Sequence, residues 1–321
     1  MNPVRVLLTG AAGHLGRQVL AALRADPSVH SVTALDWRAP SGQDDAKLLW
    51  LGMDIRDPAV SRHCAGVDVV VHLAWAVFAR AYGGRLTREQ MREINVQGTM
   101  NLVRAARDGG VRRVIFASSV AAYGAWPDNP VPLDEDWPCR PMPGFSYAQD
   151  KHAVERSFDE CAARAGMPQL VRLRLHAIIG PHSQRIVNAI ALSPVGLRLP
   201  DRDAMVQCVH EDDAVAAILA AMRFDGSAIF NIAAPGPIAW ASIPRRLSLP
   251  VPIGLLDRAH RLAAHMTGAF GDPGWLPGLR HPIIVDTARA QAALGWRARW
   301  DVAGAIARLR DARNMAHSTA R

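Results

Sequence analysis

The chain begins with a short apolar run that leads directly into a glycine-rich turn. The run Arg5-Val6-Leu7-Leu8 has the length of a buried parallel strand, and the turn that follows it is Thr9-Gly10-Ala11-Ala12-Gly13-His14-Leu15-Gly16. Apolar residues at helical spacing come next, at Val19, Leu20 and Leu23. A strand, a glycine turn and a helix in this order predict the first βα unit of an α/β fold.

The glycines of this turn also predict a dinucleotide site. Gly10 allows the tight turn, Gly13 lets the backbone approach a pyrophosphate, and Gly16 lets the helix pack closely on the strand. The spacing G-x-x-G-x-x-G is one residue longer at its start than the common fingerprint, so an ordinary βα turn is the alternative interpretation. The position of the turn, directly after a strand, favours the dinucleotide site.

An acidic residue follows the next apolar run. Residues 32–35 read as a strand, and Asp36 comes 20 residues after Gly16, where a carboxylate can bind ribose hydroxyls. A carboxylate there repels a 2′-phosphate and favours NAD over NADP. Arg38 lies two residues further on and could instead accept that phosphate.

Strand-like and helix-like segments alternate along the rest of the N-terminal half. Strands are expected at residues 48–53, 67–73, 114–118 and 170–175, and a long helix is expected from about Thr87 to Asp108, where Gly109-Gly110 would end it. This alternation predicts an α/β fold, a Rossmann-type doubly wound parallel sheet. We expect residues 1–180 to form the cofactor-binding domain, with part of 205–235 returning to it. Residues 181–321 are expected to form a small, mostly helical C-terminal substrate lobe.

A tyrosine and a lysine stand four residues apart in Tyr147-Ala148-Gln149-Asp150-Lys151. The chain has only three tyrosines and two lysines, so a chance pairing is rare. On a helix this spacing places both side chains on one face. A neighbouring ammonium favours the phenolate and would lower the pKa of Tyr147 toward neutrality. The pair predicts general acid/base chemistry, with an exposed aromatic–cation pair as the alternative.

Composition excludes several classes of function. The formal charge of +8 comes from arginines spread along the chain, with no basic tail, which argues against a nucleic-acid partner. No apolar run approaches the roughly 18 residues of a membrane span, and the immediate strand and turn leave no room for a signal peptide. The four cysteines lack C-x-x-C spacing, which predicts reduced thiols in the cytoplasm and no metal site.

Further motifs occur in order along the chain, and with those above they carry a family resemblance. They are Asp54-Ile55, His72-Leu73-Ala74, Asn95-Val96-Gln97-Gly98-Thr99, Ser118-Ser119 with Tyr123-Gly124, Arg174 with Gly180-Pro181, Val209-His210-Glu211-Asp212-Asp213 and Leu294-Gly295-Trp296. The chain resembles an extended short-chain dehydrogenase/reductase of the NAD-dependent epimerase/dehydratase family.

The resemblance implies roles for individual residues. Tyr147 would be the general acid/base, Ser119 would hydrogen-bond the substrate oxygen, and Lys151 would hold the nicotinamide ribose and lower the tyrosine pKa. The positions matching cofactor contacts are Gly10, Gly13, His14, Leu15, Gly16, Asp36, Trp37, Asp54, Ile55, Leu73, Ala74, Asn95, Ser118, Tyr147, Lys151 and His176.

Several of these polar residues also have a purely structural interpretation. Asn95 could brace the backbone, and His72 is expected to be a packed histidine. His210 is expected to fix a loop and Asp212 to cap a helix, while Tyr123 is expected to form a pocket wall.

The substrate is the open question. Sugar-nucleotide members of the family usually carry an asparagine three residues before the Gly180-Pro181 position, and here that residue is Ala177. Alanine offers no donor to a diphosphate. We therefore expect an NAD-dependent oxidoreductase acting on a secondary alcohol or ketone of a small molecule. The alternatives are a nucleotide-sugar epimerase or dehydratase that retains NAD, and a non-catalytic NAD-sensing protein. Proteins that this chain resembles often form homodimers through two helices, one of them the Tyr147 helix.

Overall fold

A computed structural model describes residues 3–40, 45–77, 86–198, 204–243, 245–252, 254–256, 258–260, 262, 276–278 and 280–319 of the 321-residue chain. Its centre is a seven-stranded sheet in which every neighbouring pair is parallel. The sheet strands are β1 (Val4–Thr9), β2 (Val29–Asp36), β3 (Leu48–Gly52), β4 (Val69–His72), β5 (Arg113–Ser119), β6 (Gln169–Leu175) and, last along the chain, β11 (Ala228–Ile232).

The strand order in space is β11-β6-β5-β4-β1-β2-β3. The chain therefore builds outward from β1 in one direction and then from β4 in the other. Thr9 and His72 are register partners at the carboxyl ends of these two strands. In open parallel sheets a crevice forms at this reversal, outside the carboxyl ends of the strands.

Helices cover both faces of the sheet. One face carries α1 (His14–Ala25), α6 (Glu211–Arg223) and α7 (Ala288–Leu294), and its core includes Val19, Ile218 and Ala290. The other face carries α2 (Arg88–Arg92), α3 (Gly98–Asp108) and α4 (Ser146–Ala162), and its core includes Leu102, Val154 and Phe158. The predicted Rossmann-type doubly wound sheet is thus confirmed.

The single long helix expected from about Thr87 to Asp108 is interrupted. A π-helical turn, Glu93–Gln97, lies between α2 and α3, and Thr87 caps α2 through a capping box with Gln90. Extra residues in a π turn change the direction in which a helix presents its side chains, and such turns often lie at functional sites. Here the turn places Asn95 in the interior.

The C-terminal region is helical with short strand pairs. Its helices include α5 (Arg185–Leu192) and α8 (Val302–Thr319). The strand pairs join β7 (Ile178–Ile179) with β10 (Val209–His210), β8 (Val195–Arg198) with β13 (Leu247–Pro250), and β9 (Met205–Val206) with β12 (Ile238–Ala239). Ile179, Cys208 and Val302 lie in the apolar core that joins these elements.

The predicted domain boundary at residue 180 stays a prediction, although α6 and β11 do pack with the main sheet. Two parts of the predicted substrate lobe, residues 199–203 and 263–275, lie outside the described residues.

Candidate active site

The fold requires glycine at two positions of the glycine turn, Gly10 and Gly16, but not at the third, Gly13. Gly10 has a φ of +72°, and a Cβ on it would lie 2.5 Å from the backbone nitrogen of Ala74. A Cβ on Gly16 would lie 2.0 Å from the carbonyl oxygen of Gly10. A Cβ on Gly13 would meet only that same oxygen, at 3.1 Å, so Gly13 leaves space beside the N-terminus of α1. Such a space fits a group that approaches the backbone, as a pyrophosphate does.

Asp36, the last residue of β2, is fixed against this turn. One carboxylate oxygen accepts a hydrogen bond from the backbone nitrogen of Ala12 at 3.1 Å, and the other accepts from that of Arg38 at 2.9 Å. The neighbouring Trp37 is exposed, and the Arg38 guanidinium lies over its ring, 4.9 Å from the centroid. The acid predicted at the ribose position therefore lies beside the glycine turn.

Asp54 and Ile55 follow β3, next to Asp36 in the sheet. Both oxygens of Asp54 are bound by the Arg56 side chain, with a shortest distance of 2.7 Å. Ile55 is buried, and a Cβ on Gly98 would lie 2.7 Å from its Cγ1 atom, so Gly98 lets α3 approach this segment closely. The predicted adenine-side residues are thus a paired surface carboxylate and a buried aliphatic side chain.

Other predicted cofactor positions line the strand ends around the turn. His14 begins α1 and hydrogen-bonds the carbonyl oxygen of His182 at 3.1 Å, and Leu15 packs against the core of that sheet face. The backbone nitrogen of Leu73 donates to Thr9 at 3.1 Å, which holds the Leu73-Ala74 segment against Gly10.

His72 is a packed, neutral histidine, as the sequence suggested. Its two ring nitrogens hydrogen-bond the hydroxyls of Thr9 and Thr99 at 2.7 and 2.8 Å. Burial, together with the positive charge of Lys151, lowers the pKa of His72 to about 3. The imidazole therefore ties β1 to α3 and carries no charge at neutral pH.

Asn95 braces the backbone that follows β4. Its side-chain oxygen accepts from the nitrogen of Ala76 at 2.7 Å, and its amide nitrogen donates to the Ala76 carbonyl at 3.1 Å. The same amide donates to Asp150 at 3.2 Å. Asn95 thus links the loop after β4 to α4, and its contact on α4 is Asp150, the residue before Lys151.

The three predicted catalytic residues converge at the carboxyl end of β5. Ser119 ends the strand, and its hydroxyl oxygen accepts from the backbone nitrogen of Ala121 at 3.2 Å. Tyr147 lies in the first turn of α4 and is hydrogen-bonded to Ser119. Lys151 is one turn further along α4 and is buried. The serine and tyrosine hydroxyls are therefore within hydrogen-bonding reach of each other, an arrangement in which both could bind one substrate oxygen.

The expected effect of Lys151 on Tyr147 is wrong. Burial raises the pKa of Tyr147, and the hydrogen bond from Ser119 only partly offsets this. The Lys151 ammonium lies 5.8 Å from the Tyr147 ring centroid and donates instead to the carbonyl oxygen of Ala117 at 2.5 Å. Burial also lowers the pKa of Lys151 well below its usual value, against the opposing charges of Glu155 and Asp150.

Ser118 points away from the Ser119–Tyr147 pair, into a buried polar network that the sequence did not reveal. Its hydroxyl donates to Glu155 at 2.5 Å, and Glu155 is bound by the Arg174 guanidinium with a shortest distance of 2.6 Å. Tyr123, expected at a pocket wall, is fully buried and joins this network: its hydroxyl accepts from Arg174 at 2.8 Å. Burial raises the pKa of Tyr123. The spacing Lys151 to Glu155, again four residues on one helix face, was the available signal for Glu155.

His176 and Ala177 lie just after β6. The His176 Nε2 atom donates to the carbonyl oxygen of Ile283 at 3.0 Å, and its Nδ1 atom accepts from the Ala177 nitrogen at 2.8 Å. Burial lowers the pKa of His176 to about 4, so this histidine is neutral and its tautomer is fixed. Ala177 is exposed.

One predicted cap is wrong. The helix α6 begins at Glu211, and the side chain of His210 caps it by accepting from the nitrogen of Asp212 at 3.2 Å. Asp212 is therefore inside the helix rather than at its cap.

A separate cleft of about 820 Å³ lies between α1, the start of α6 and α8, and none of Ser119, Tyr147 and Lys151 borders it. Among the described residues, no three His, Cys, Asp or Glu side chains are grouped to hold a metal ion, and no helix is long and apolar enough to cross a membrane.

A doubly wound parallel sheet with a glycine turn at its reversal point defines a nucleotide-binding protein of the Rossmann type. The chain belongs to the NAD-dependent epimerase/dehydratase family, whose model matches residues 6–233. This family membership confirms the resemblance drawn from the motifs, and it confirms NAD as the cofactor.

Individual proteins share this similarity over nearly the whole chain. An uncharacterised protein of Mycobacterium tuberculosis is 30% identical over 311 residues, which is 93% of this chain and 81% of that protein. A 3-diazoavenalumate denitrifying reductase of a Streptomyces species is 30% identical over 317 residues, 92% of this chain and 96% of that one. Among solved structures, MoeE5 in complex with UDP-glucuronic acid and NAD is 24% identical, with a TM-score of 0.72 and coverage of 97% and 99%. This structural likeness shows the fold.

Proposed function

We propose that the protein is an NAD-dependent oxidoreductase that transfers a hydride at a secondary alcohol or ketone carbon, with Tyr147 as the general acid/base. The observation that carries this proposal is the Ser119–Tyr147 hydrogen bond at the same edge of the parallel sheet as the glycine turn, with Lys151 on the same face of α4. Two converging hydroxyls suit one substrate oxygen that changes between hydroxyl and carbonyl.

The residues around the turn fit the cofactor. Gly13 leaves room for the pyrophosphate, Asp36 is held beside the turn for the ribose hydroxyls, and Asp54 with Ile55 border the neighbouring strand end. When bound, NAD carries the hydride. The protein's task is to position the substrate carbon and to move the proton.

The direction of the Tyr147 pKa favours reduction at neutral pH. Because burial raises this pKa, the phenol is protonated and can donate its proton to a carbonyl oxygen as the carbon gains a hydride. Ser119 hydrogen-bonds the same oxygen and stabilises the negative charge that develops on it. Oxidation of an alcohol needs the phenolate, so its rate is expected to rise with pH.

The test is turnover of Tyr147→Phe with NADH and a panel of ketones. We expect kcat to fall by about 10²–10⁴-fold, the usual contribution of general acid/base catalysis, while NAD binding is unchanged. Tyr123→Phe is the matched control, because it also removes one buried hydroxyl but leaves Ser119 and Tyr147 intact. A Tyr147→Phe enzyme that turns over at the wild-type rate would refute the proposed mechanism.

The second candidate is a nucleotide-sugar epimerase or dehydratase that keeps its NAD bound. The observation in its favour is the similarity over 97% of the chain to MoeE5, whose structure holds UDP-glucuronic acid and NAD. The observation against it is Ala177, which is exposed and offers no donor to a diphosphate. Purified protein that retains NAD and converts a UDP- or dTDP-sugar without net change of NADH would decide for this candidate.

A further inference from the structure

The indole of Trp75 contacts both proposed catalytic side chains of α4. The Lys151 Nζ atom is 3.5 Å from the Trp75 ring centroid and 4.6 Å from that of Phe116. The same indole meets the Tyr147 ring edge-on, with centroids 6.4 Å apart and planes at 80°. One ring thus contacts the ammonium through its face and the phenol ring of Tyr147 at an edge.

The backbone next to Trp75 is held firmly. Asn95 forms hydrogen bonds with both the nitrogen and the carbonyl oxygen of Ala76, the next residue. The indole also packs against Phe116 on β5, with ring centroids 5.8 Å apart. These contacts therefore fix the position of the Trp75 ring within the site.

The carboxylates near the ammonium are already shared with arginines. Asp150 on α4 accepts from Arg88 and Arg92 on α2, at 2.7 and 2.9 Å. Glu155 on α4 is bound by Arg174 on β6 at 2.6 Å.

Each of these guanidinium charges offsets part of the attraction between a carboxylate and Lys151. The elements on the other sides of Lys151 contribute the neutral His72 on β4, the carbonyl of Ala117 on β5, and the phenol of Tyr147. The face of an aromatic ring attracts a cation most strongly when both are shielded from water, and tryptophan does so best.

We propose that Trp75 is a positioning residue that holds the ammonium of Lys151 on its ring face and keeps it protonated beside Tyr147. This inference rests on the proposed function, in which the positive charge of Lys151 belongs to the active site. The Trp75 ring is the group that maintains this charge. The burial that lowers the Lys151 pKa is consistent with a need for such a partner.

The two lysines of the chain, Lys47 and Lys151, make a direct test practicable. Protein labelled with 13C,15N-lysine shows two side-chain nitrogens by NMR, observed through Cε, and Lys47→Arg assigns them. Lys47 binds the carbonyl oxygens of Arg24 and Asp26 at 2.8 and 2.7 Å, away from the site. Titration of the Lys151 nitrogen then measures its protonation without any substrate.

We expect Trp75→Leu to lower the titration midpoint of Lys151 by about one pH unit, a tenfold loss in proton affinity. Trp75→Phe should lower it by a smaller amount, since phenylalanine binds cations less strongly than tryptophan. Trp126→Leu is the matched control: it removes another indole near a cation, Arg140, and should leave the Lys151 midpoint unchanged.

An unchanged midpoint in folded Trp75→Leu protein overturns the proposal, as does an equal shift in Trp126→Leu. If Trp75→Leu does not fold, Trp75→Phe is the test instead. A Lys151 midpoint in Trp75→Phe equal to that of the wild type would also overturn the proposal. Failure of the proposed function is read separately, from the turnover of Tyr147→Phe, so the two outcomes are independent.

Discussion

Replacing Gly13 with alanine should separate cofactor binding from folding. The backbone of Gly13, at φ −70° and ψ 169°, is one that any residue adopts, and an added Cβ meets only the Gly10 carbonyl oxygen, at 3.1 Å. A Gly→Ala change at a compatible position stabilises a protein by about 0.4–1 kcal/mol through the unfolded chain, and the close contact offsets part of this. We therefore expect the free energy of unfolding to stay within about 1 kcal/mol of the wild-type value.

The same methyl group should obstruct NAD. It would project beside the N-terminus of α1, where backbone N–H groups must lie within hydrogen-bond distance of a phosphate. Losing one hydrogen bond to a charged group costs about 1.5–3 kcal/mol, which corresponds to a Kd about 10- to 150-fold weaker. Isothermal titration of NAD measures the affinity, and urea unfolding of the same preparation measures the stability.

Gly16→Ala provides the matched control. A Cβ there would lie 2.0 Å from the Gly10 carbonyl oxygen and 2.9 Å from the Ala11 Cα atom, so α1 must move away from the turn. This variant should lose NAD binding and also roughly 2 kcal/mol or more of stability, the range of overpacking in a close-packed interior. A Gly13→Ala protein that binds NAD like the wild type, or that is destabilised as much as Gly16→Ala, would refute the reasoning.

Two further predictions follow from buried carboxylates. Glu155→Gln leaves the Arg174 guanidinium buried without its counter-charge, so the free energy of unfolding at pH 7 should fall by about 3–5 kcal/mol in urea denaturation. Although burial alone would raise the Glu155 pKa, Arg174 and Ser118 together hold it below its usual value. The stabilisation by Glu155 is therefore present above its unfolded-state pKa and is lost as the pH falls through its folded-state pKa. The difference in unfolding free energy between the variant and the wild type should narrow in acid and persist at neutral pH. Asp36→Ser should raise the ratio of NADP to NAD affinity at least tenfold, because it removes the carboxylate that repels a 2′-phosphate; an unchanged ratio in competition titrations would place the ribose elsewhere.

The features predictable from sequence were those that depend on local spacing. The strand, glycine turn and helix at residues 4–25 are set by period and by the conformations that Gly10 and Gly16 allow, so they formed as expected. The four-residue spacing of Tyr147 and Lys151 likewise placed both on one face of α4. Alternating strands and helices with right-handed crossovers leave few arrangements besides the doubly wound sheet.

The direction of long side chains was not predictable. Lys151 has a flexible stem, and tertiary packing sent its ammonium to the Ala117 carbonyl and the Trp75 ring rather than toward the Tyr147 hydroxyl. The pKa of Tyr147 then follows from burial, which no local spacing reveals. Tertiary contacts also account for the π turn that places Asn95 in the interior. The hydrogen bonds of Asn95 with Ala76 and Asp150 stabilise this turn over a regular α-helix.

Tyr147, Lys151 and Glu155 lie on one face of α4, and this arrangement gives the buried Glu155–Arg174 ion pair a role besides stability. An apolar pair in place of Glu155 and Arg174 could stabilise the fold as well or better, since burying two charges is costly. The charged pair, however, also resists rotation of α4, because Glu155 accepts from Arg174 on β6 and from Ser118 on β5. This orientation of α4 points Tyr147, two turns earlier on the same face, at Ser119. The ion pair therefore also helps to hold the proposed catalytic residues Ser119 and Tyr147 together.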